Sequence, residues 1–190
     1  MFLINTLPLP NHNNLADYGA FLLKRFIISQ FKKGSSEVHI IFDTPGRLQN
    51  TPKYFEQKHR DSKATVSTNH VCAEVTSHTV IPRKQWREIH LINNCRECKR
   101  NLVIFLGNYF LKNASTYLNI QQKLYVADAF EGEISDSAWY VTMDNNMQPD
   151  PEFLSNAEET DTRLWLHVRK TRHARILVMS PDTDIYMIGI

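Results

Sequence analysis

Cysteine is scarce in this chain: three residues in 190, two of them close together in NCRECKR. So few, so unevenly placed, exclude a secreted disulfide scaffold and point to a reducing, intracellular setting, with nucleus and cytoplasm equally compatible. Long apolar runs are missing too. The longest, NLVIFLGNYFL, is about half of the roughly 18–20 residues that a membrane-spanning helix needs, so no membrane partner is expected. The N-terminal MFLINTLPLPNHNN has no basic region ahead of its apolar residues and is interrupted by Asn5, Pro8 and Pro10, so no signal peptide is expected there. Nor is there an excess of either charge: 22 Lys and Arg against 20 Asp and Glu leave a formal +2. The composition therefore does not point to a histone-like or polybasic nucleic-acid binder, and any basic surface must be local. Repeats, low-complexity stretches and linkers are absent, while 42% apolar residues suffice for a continuous core. One domain over residues 1–190 is the expectation.

The residues present alternate between helical and strand patterns. From Leu15 to Gln30, apolar side chains at Leu15, Tyr18, Leu22 and Phe26 follow helical spacing, with Asn14 as N-cap and Gly34 ending the element past Lys32 and Lys33. Val38 to Phe42 (VHIIF) is β-branched and aromatic and stops at Asp43 before the turn residues Thr44, Pro45 and Gly46, as a buried strand does. Thr51 and Pro52 open a short surface helix, and the Thr-, Ser- and Val-rich stretch around 62–82 reads as an insertion. Pro82 opens a helix containing Trp86 and Ile89; Arg96 to Lys112 carries Leu102, Phe105, Leu106, Tyr109 and Phe110 on one face. LYVA (Leu124 to Ala127) is a second strand, followed by the acidic stretch DAFEGEISDS and a short apolar piece, Trp139 to Val141. Asn156 caps a helix to about Lys170 with Leu164, Leu166 or His167, and Val168 inward, and the basic loop RKTRHAR leads to a strand at Ile176 to Met179. The fold class expected is α/β, with a mainly parallel central sheet and helices on both faces. The C-terminal ILVMSPDTDIYMIGI stops inside an apolar run, so the sheet is expected to be incomplete and the chain a fragment.

In a parallel sheet, ligands collect beyond the carboxyl ends of the strands. Three acidic groups are expected at such an edge: Asp43 after VHIIF, Glu158, Glu159 and Asp161 in the first turn of the last helix, and Asp182 and Asp184 after ILVMS. Clustered carboxylates repel unless a hard cation such as Mg²⁺ or Mn²⁺ neutralises them. A pair of such ions roughly 4 Å apart activates water and stabilises the leaving oxygen in phosphodiester hydrolysis. Each acid also suits a purely local role: Asp43 in a turn, Glu159 in a capping box with Asn156, Asp182 in an Asx-turn after Pro181. The order of the three groups along the chain sets them apart.

That order carries a resemblance. SNAEETDTRLWLHVRKTRHARILVMSPDTDIYMIG resembles the core of PIN-like nucleases of the flap-endonuclease type, in which a helix opening with two acids spaced i, i+2 precedes a strand ending in DxD. VHIIFD resembles their earlier strand ending in a metal-site aspartate. Together, IFDTPGRLQNTPKYFEQKHRD, CRECKRNLVIFLGNYFL, LYVADAFEG, AEETDTRLWLH and SPDTDIYMIG are similar to a group of animal proteins with a PIN-like domain, and the similarity covers most of the chain. It implies a PIN-like fold and hydrolysis of phosphodiester bonds in DNA or RNA. It also implies that Asp43, Glu159, Asp161, Asp182 and Asp184 hold one or two Mg²⁺ or Mn²⁺ ions, with Glu158 an alternative or supporting ligand. Two departures stand against it. The family ends its first strand in aspartate, whereas FLINTLPL has none and Asp17 lies within the first helix; the family also has a further acid downstream of DxD, past Ile190. A PIN-like module that binds nucleic acid or a partner without cutting is therefore the alternative. A haloacid-dehalogenase-type phosphatase is a third reading, in which DxD would normally belong to an early strand.

Two local basic groups accompany the acids. Arg47, Lys53, Lys58, Arg60 and Lys63 follow the Asp43 strand and could bind phosphates, with Tyr54 or Phe55 stacking on a base. Arg169, Lys170, Arg172 and Arg175 precede the last strand and belong at the edge opposite the acids; either group could equally be a solvated face. Cys95 and Cys98 form CxxC, and with His70 and Cys72 they spell a possible structural Zn²⁺ set, though the HxC spacing is tight and unpaired thiols are the simpler reading. His167 is expected to be packed.

Overall fold

A computed structural model describes residues 14–43, 55, 59, 96–130, 136–157 and 160–180, the side chains of 96–99 excepted. Helix α1 covers residues 15–32 and starts as its sequence requires: Asn14, in extended backbone, accepts the Asp17 amide on its side chain at 2.8 Å, which satisfies one of the otherwise orphan donors of the first turn. Gly34 ends it at φ +98, a left-handed conformation that costs glycine little. Within this helix, Leu23–Ile28 is π-helical, and its i→i+5 bonding shifts the phase of the apolar stripe. Leu15, Tyr18 and Leu22 are buried as their spacing dictates, but Leu23, Ile27 and Ile28 then take core positions and leave Phe26 half-buried.

Strands β1 (Glu37–Ile41) and β2 (Lys123–Ala127) pair in parallel, Val38 opposite Leu124 and Ile41 opposite Ala127. Strands β3 (Ala138–Val141) and β4 (Met147–Asp150) extend the sheet antiparallel, in the order β1-β2-β3-β4. The protein is thus mixed α/β with an open four-stranded sheet, and among the described residues that sheet is mostly antiparallel rather than mainly parallel. Loop length is the cause. The chain between β1 and β2 is long and includes helix α2 (Arg96–Ala114), whereas residues 142–146 alone join β3 to β4, with Asn145 at φ 55 and its amide on the Thr142 carbonyl. So short a link allows only the antiparallel pairing. No alternating apolar pattern announces β4, whose sole apolar side chain apart from Pro149 is Met147, and Pro149 is tolerated because the strand is an edge among the described residues.

Helices α1 and α2 cover one face of the sheet: Val38, Ile40, Leu124, Val126 and Val141 share a cluster with Leu22, Ile27, Leu106 and Phe110. Gly107 lies where α2 crosses β2, and a Cβ there would come 2.2 Å from the Ala129 Cβ and 3.2 Å from Val126 Cγ1; only a hydrogen permits that approach. The opposite face carries Tyr125, Ala127 and Ala138 with Phe153, and helix α3 (Thr160–Lys170) reaches it through His167, stacked on Phe153. Helix α3 runs antiparallel to β1, since Thr160 bonds the Phe42 carbonyl just past one end of the strand and Thr171 bonds Glu37 at the other.

Two expectations for the C-terminal third are corrected. The described part of α3 begins at Thr160, and Asn156 is exposed in the irregular stretch before it; His167 is buried as expected, but the other residue the helix buries is Arg163, while Leu164, Leu166 and Val168 are only partly covered. The sheet face offers this helix polar partners, so its polar residues turn inward. Ile176 to Met179, expected as a strand, pairs with no described strand, and Leu177 is 78% exposed. Composition makes a segment β-capable, but a ladder also needs a neighbour in register. Phe55 and His59, the two described residues of the segment begun by Pro52, are helical. The insertion around 62–82 and the helix at Pro82 lie outside the described residues. Among the described residues no helix is long and apolar enough to cross a membrane.

Candidate functional site

The parallel pairing of β1 and β2 brings two aspartates to one edge. The register continues for one residue beyond β1, the Phe42 amide bonding the Ala127 carbonyl at 3.2 Å, so Asp43 and Asp128 follow at neighbouring strand ends. Asp128 adopts φ 65, a conformation aspartate tolerates better than most side chains. Helix α3 starts at the same edge: the Thr160 hydroxyl lies 3.3 Å from Asp43 Oδ1 and 3.4 Å from the Phe42 carbonyl, placed to donate to either. Asp161 follows in the first turn. Arg163 then forms an ion pair with Asp128, both partners almost wholly buried, and its guanidinium also donates to the Asp136 and Ser155 carbonyls. Burying two charges is costly, and these further bonds help to offset it.

Of the expected site residues, the structure therefore brings together Asp43 and the start of the helix bearing Asp161. Glu158, Glu159, Asp182 and Asp184 lie outside the described residues, as do Arg47, Lys53, Lys58, Arg60 and Lys63. So do His70, Cys72 and Cys95; Cys98 is in α2, its side chain not described. Among the described residues no three His, Cys, Asp or Glu side chains converge as a metal ion requires. Asp43 and Asp161 nonetheless offer oxygen donors of the kind that Mg²⁺ or Mn²⁺ takes. Asp128 went unassigned in the sequence, although it ends an LYVA strand as Asp43 ends VHIIF; Arg163 gave no signal, an arginine on a helix being ordinarily solvated.

A second polar cluster occupies the same β1–α3 contact nearer the start of β1. His39 Nδ1 and His167 Nδ1 are 2.8 Å apart, His39 Nε2 is 3.3 Å from Glu37 Oε2, and that oxygen also faces His173 Nε2 at 3.2 Å and the Thr171 hydroxyl at 3.4 Å. The His39 ring stacks on Tyr125, with centroids 4.3 Å apart. Burial, reinforced by His39 and Arg163, pushes the His167 imidazole down to about 3, so it is neutral at ordinary pH. The hydrogen bond from His39, and then the contact with His173, hold the Glu37 carboxyl down at about 2 despite partial burial. The segment after α3 thus sits at the end of β1 opposite the acids.

No protein-family model, no curated protein and no solved structure matches this chain.

Proposed function

We propose that this chain is a PIN-like domain that hydrolyses phosphodiester bonds of nucleic acid with Mg²⁺ or Mn²⁺. The observation that carries the reading is the contact between Thr160 and Asp43, which sets the acid ending β1 beside the helix whose first turn holds Asp161. Glu158 and Glu159 immediately precede that helix in sequence, and Asp182 and Asp184 follow Ser180, so the order of acids matches the one the resemblance implies. Asp43 and Asp161 would hold the ion, with Glu158 or Glu159, Asp182 and Asp184 as further oxygen donors. When bound, such an ion activates water and stabilises charge on phosphate oxygens. The chain's own contribution is positional: Thr160 orients the Asp43 carboxylate, and the buried pair of Arg163 with Asp128 anchors α3. Arg47, Lys53, Lys58 and Arg60, which follow Asp43 in sequence, are the residues proposed to meet the nucleic-acid backbone.

The purified protein should cut single-stranded or branched nucleic acid when Mn²⁺ or Mg²⁺ is supplied. Asp182→Asn should abolish cutting, and Asp43→Asn should lower it by about 100-fold or more, the scale of a lost charge-stabilising group. Cleavage that persists in EDTA would overturn the proposal. A second reading, a PIN-like module that binds without cutting, draws on Arg163: the guanidinium at this edge already neutralises one strand-end acid. Mn²⁺ binding without turnover would favour it.

A further inference from the structure

Strand β1 and helix α3 meet through a pair of histidines where an apolar contact would be usual. A bridge between two Nδ1 atoms at 2.8 Å has room for one hydrogen. With both rings neutral, one imidazole donates and the other accepts; with one ring cationic, the cation donates. With both cationic, each Nδ1 carries a hydrogen directed at the other, and the bond becomes a repulsion.

The groups facing the pair make the first proton tolerable and the second not. From β1, Glu37 lies against His39 Nε2. From β2, Tyr125 stacks on His39 and its hydroxyl donates to Asp150 Oδ2 of β4 at 3.3 Å. Next to β4, Phe153 covers His167 at 4.4 Å between centroids. From α3 itself, Arg163 lies one turn before His167, and beyond the helix Thr171 and His173 both reach Glu37. A cation on His39 therefore has a carboxylate beside it. A cation on His167 has an arginine, a phenyl ring and the other imidazole, and its Nε2 is buried with no hydrogen-bond partner among the described residues.

We propose that Glu37, His39 and His167 form a proton-counting latch between β1 and α3, which holds with no added proton or one and opens when the second arrives. Opening lifts α3 from the sheet and draws Thr160 and Asp161 away from Asp43. The latch stands independently of the hydrolase reading, because it is read from the structure of the whole chain and not from its activity.

The experiment is ¹⁵N NMR of the imidazoles together with hydrogen exchange of the α3 amides, followed from about pH 8 to about pH 4 and corrected for intrinsic exchange. At neutral pH a scalar coupling across the Nδ1–H···Nδ1 bridge is expected. In acid it should vanish in the same step in which α3 loses protection, by up to about tenfold per pH unit for a one-proton step, while α2 stays protected. His167→Phe keeps a ring against Phe153 but cannot be charged, and should abolish the step; His39→Gln should move it to lower pH. Protection of α3 that is unchanged down to pH 4, or that is lost at the same pH in wild type and both variants, would overturn the latch. Should neither variant fold, the wild type decides alone: coupling and protection lost together support the latch, and protection lost while the coupling persists refutes it.

Discussion

Two polar clusters on one strand–helix contact handle charge in opposite ways. At the carboxyl edge, charge is kept and compensated: Asp128 is buried against Arg163, and Asp43 has the Thr160 hydroxyl. Four residues back along β1, at His39, charge is kept off the buried side, His167 being neutral because burial, with His39 and Arg163 acting in the same direction, disfavours its cation. Both clusters bind the same helix. Helix α3 is consequently held by groups whose strength depends on ionisation, whereas α2 is held by Leu102, Val103, Leu106 and Phe110, which are indifferent to it. A helix docked in the first manner responds to pH and to single charge changes; one docked in the second responds to volume.

The largest effect that would test this contrast is at the ion pair. Arg163→Met leaves the Asp128 carboxylate buried without its cation and should cost about 3–5 kcal/mol in urea unfolding. Adding Asp128→Leu to that variant should restore much of the loss, and an unchanged midpoint in the single variant would show the pair to be idle. Next comes acid. His167 has a folded value near 3 against an ordinary 6.5, so its contribution is complete above pH 6.5 and is lost as pH falls toward 3, at about 1.4 kcal/mol per unit. Glu37, near 2 against 4.5, adds a loss of the same sign as pH falls from 4.5 toward 2. Stability measured against pH should therefore fall in two overlapping windows, and His167→Phe should remove the upper one. The smallest effect belongs to the apolar side: Gly107→Ala forces a methyl onto Ala129 and should cost about 1–3 kcal/mol, equally at pH 7 and pH 5. A cost that grew in acid would blur the distinction between the two helices.

The sequence announced the elements whose stability is local or apolar. Asn14 and Gly34 delimit α1, Leu102 and Leu106 mark the buried stripe of α2, and VHIIF and LYVA mark the parallel pair. The phase of α1 past Leu22 escaped, because a π-helical stretch obeys no 3.6-residue period. Strand β4 escaped because MQPD owes its pairing to the 142–146 turn and to β3, not to its own side chains. The inward face of α3 reads in sequence as Leu164, Leu166 or His167, and Val168, because apolar residues ordinarily turn inward; His167 is packed as expected, but Arg163 also turns inward because Asp128 waits on the sheet, a fact that only the tertiary structure supplies. Of the candidate site, Asp43 and Asp161 were legible as acids ending a strand and opening a helix. Asp128, with the same placement, reads in sequence as the start of the acidic stretch DAFEGEISDS.

The proposed hydrolase would hold its divalent cation at the carboxyl edge and not at the histidine cluster, and Mn²⁺ broadening of amide NMR signals separates the two within one titration. Added in substoichiometric amounts near neutral pH, Mn²⁺ should broaden the signals of Asp43, Thr160 and Asp161 first and leave those of Glu37, His39 and His173 sharper, with Asp43→Asn weakening the effect. Broadening centred on Glu37 and His173, or unchanged in Asp43→Asn, would contradict the account.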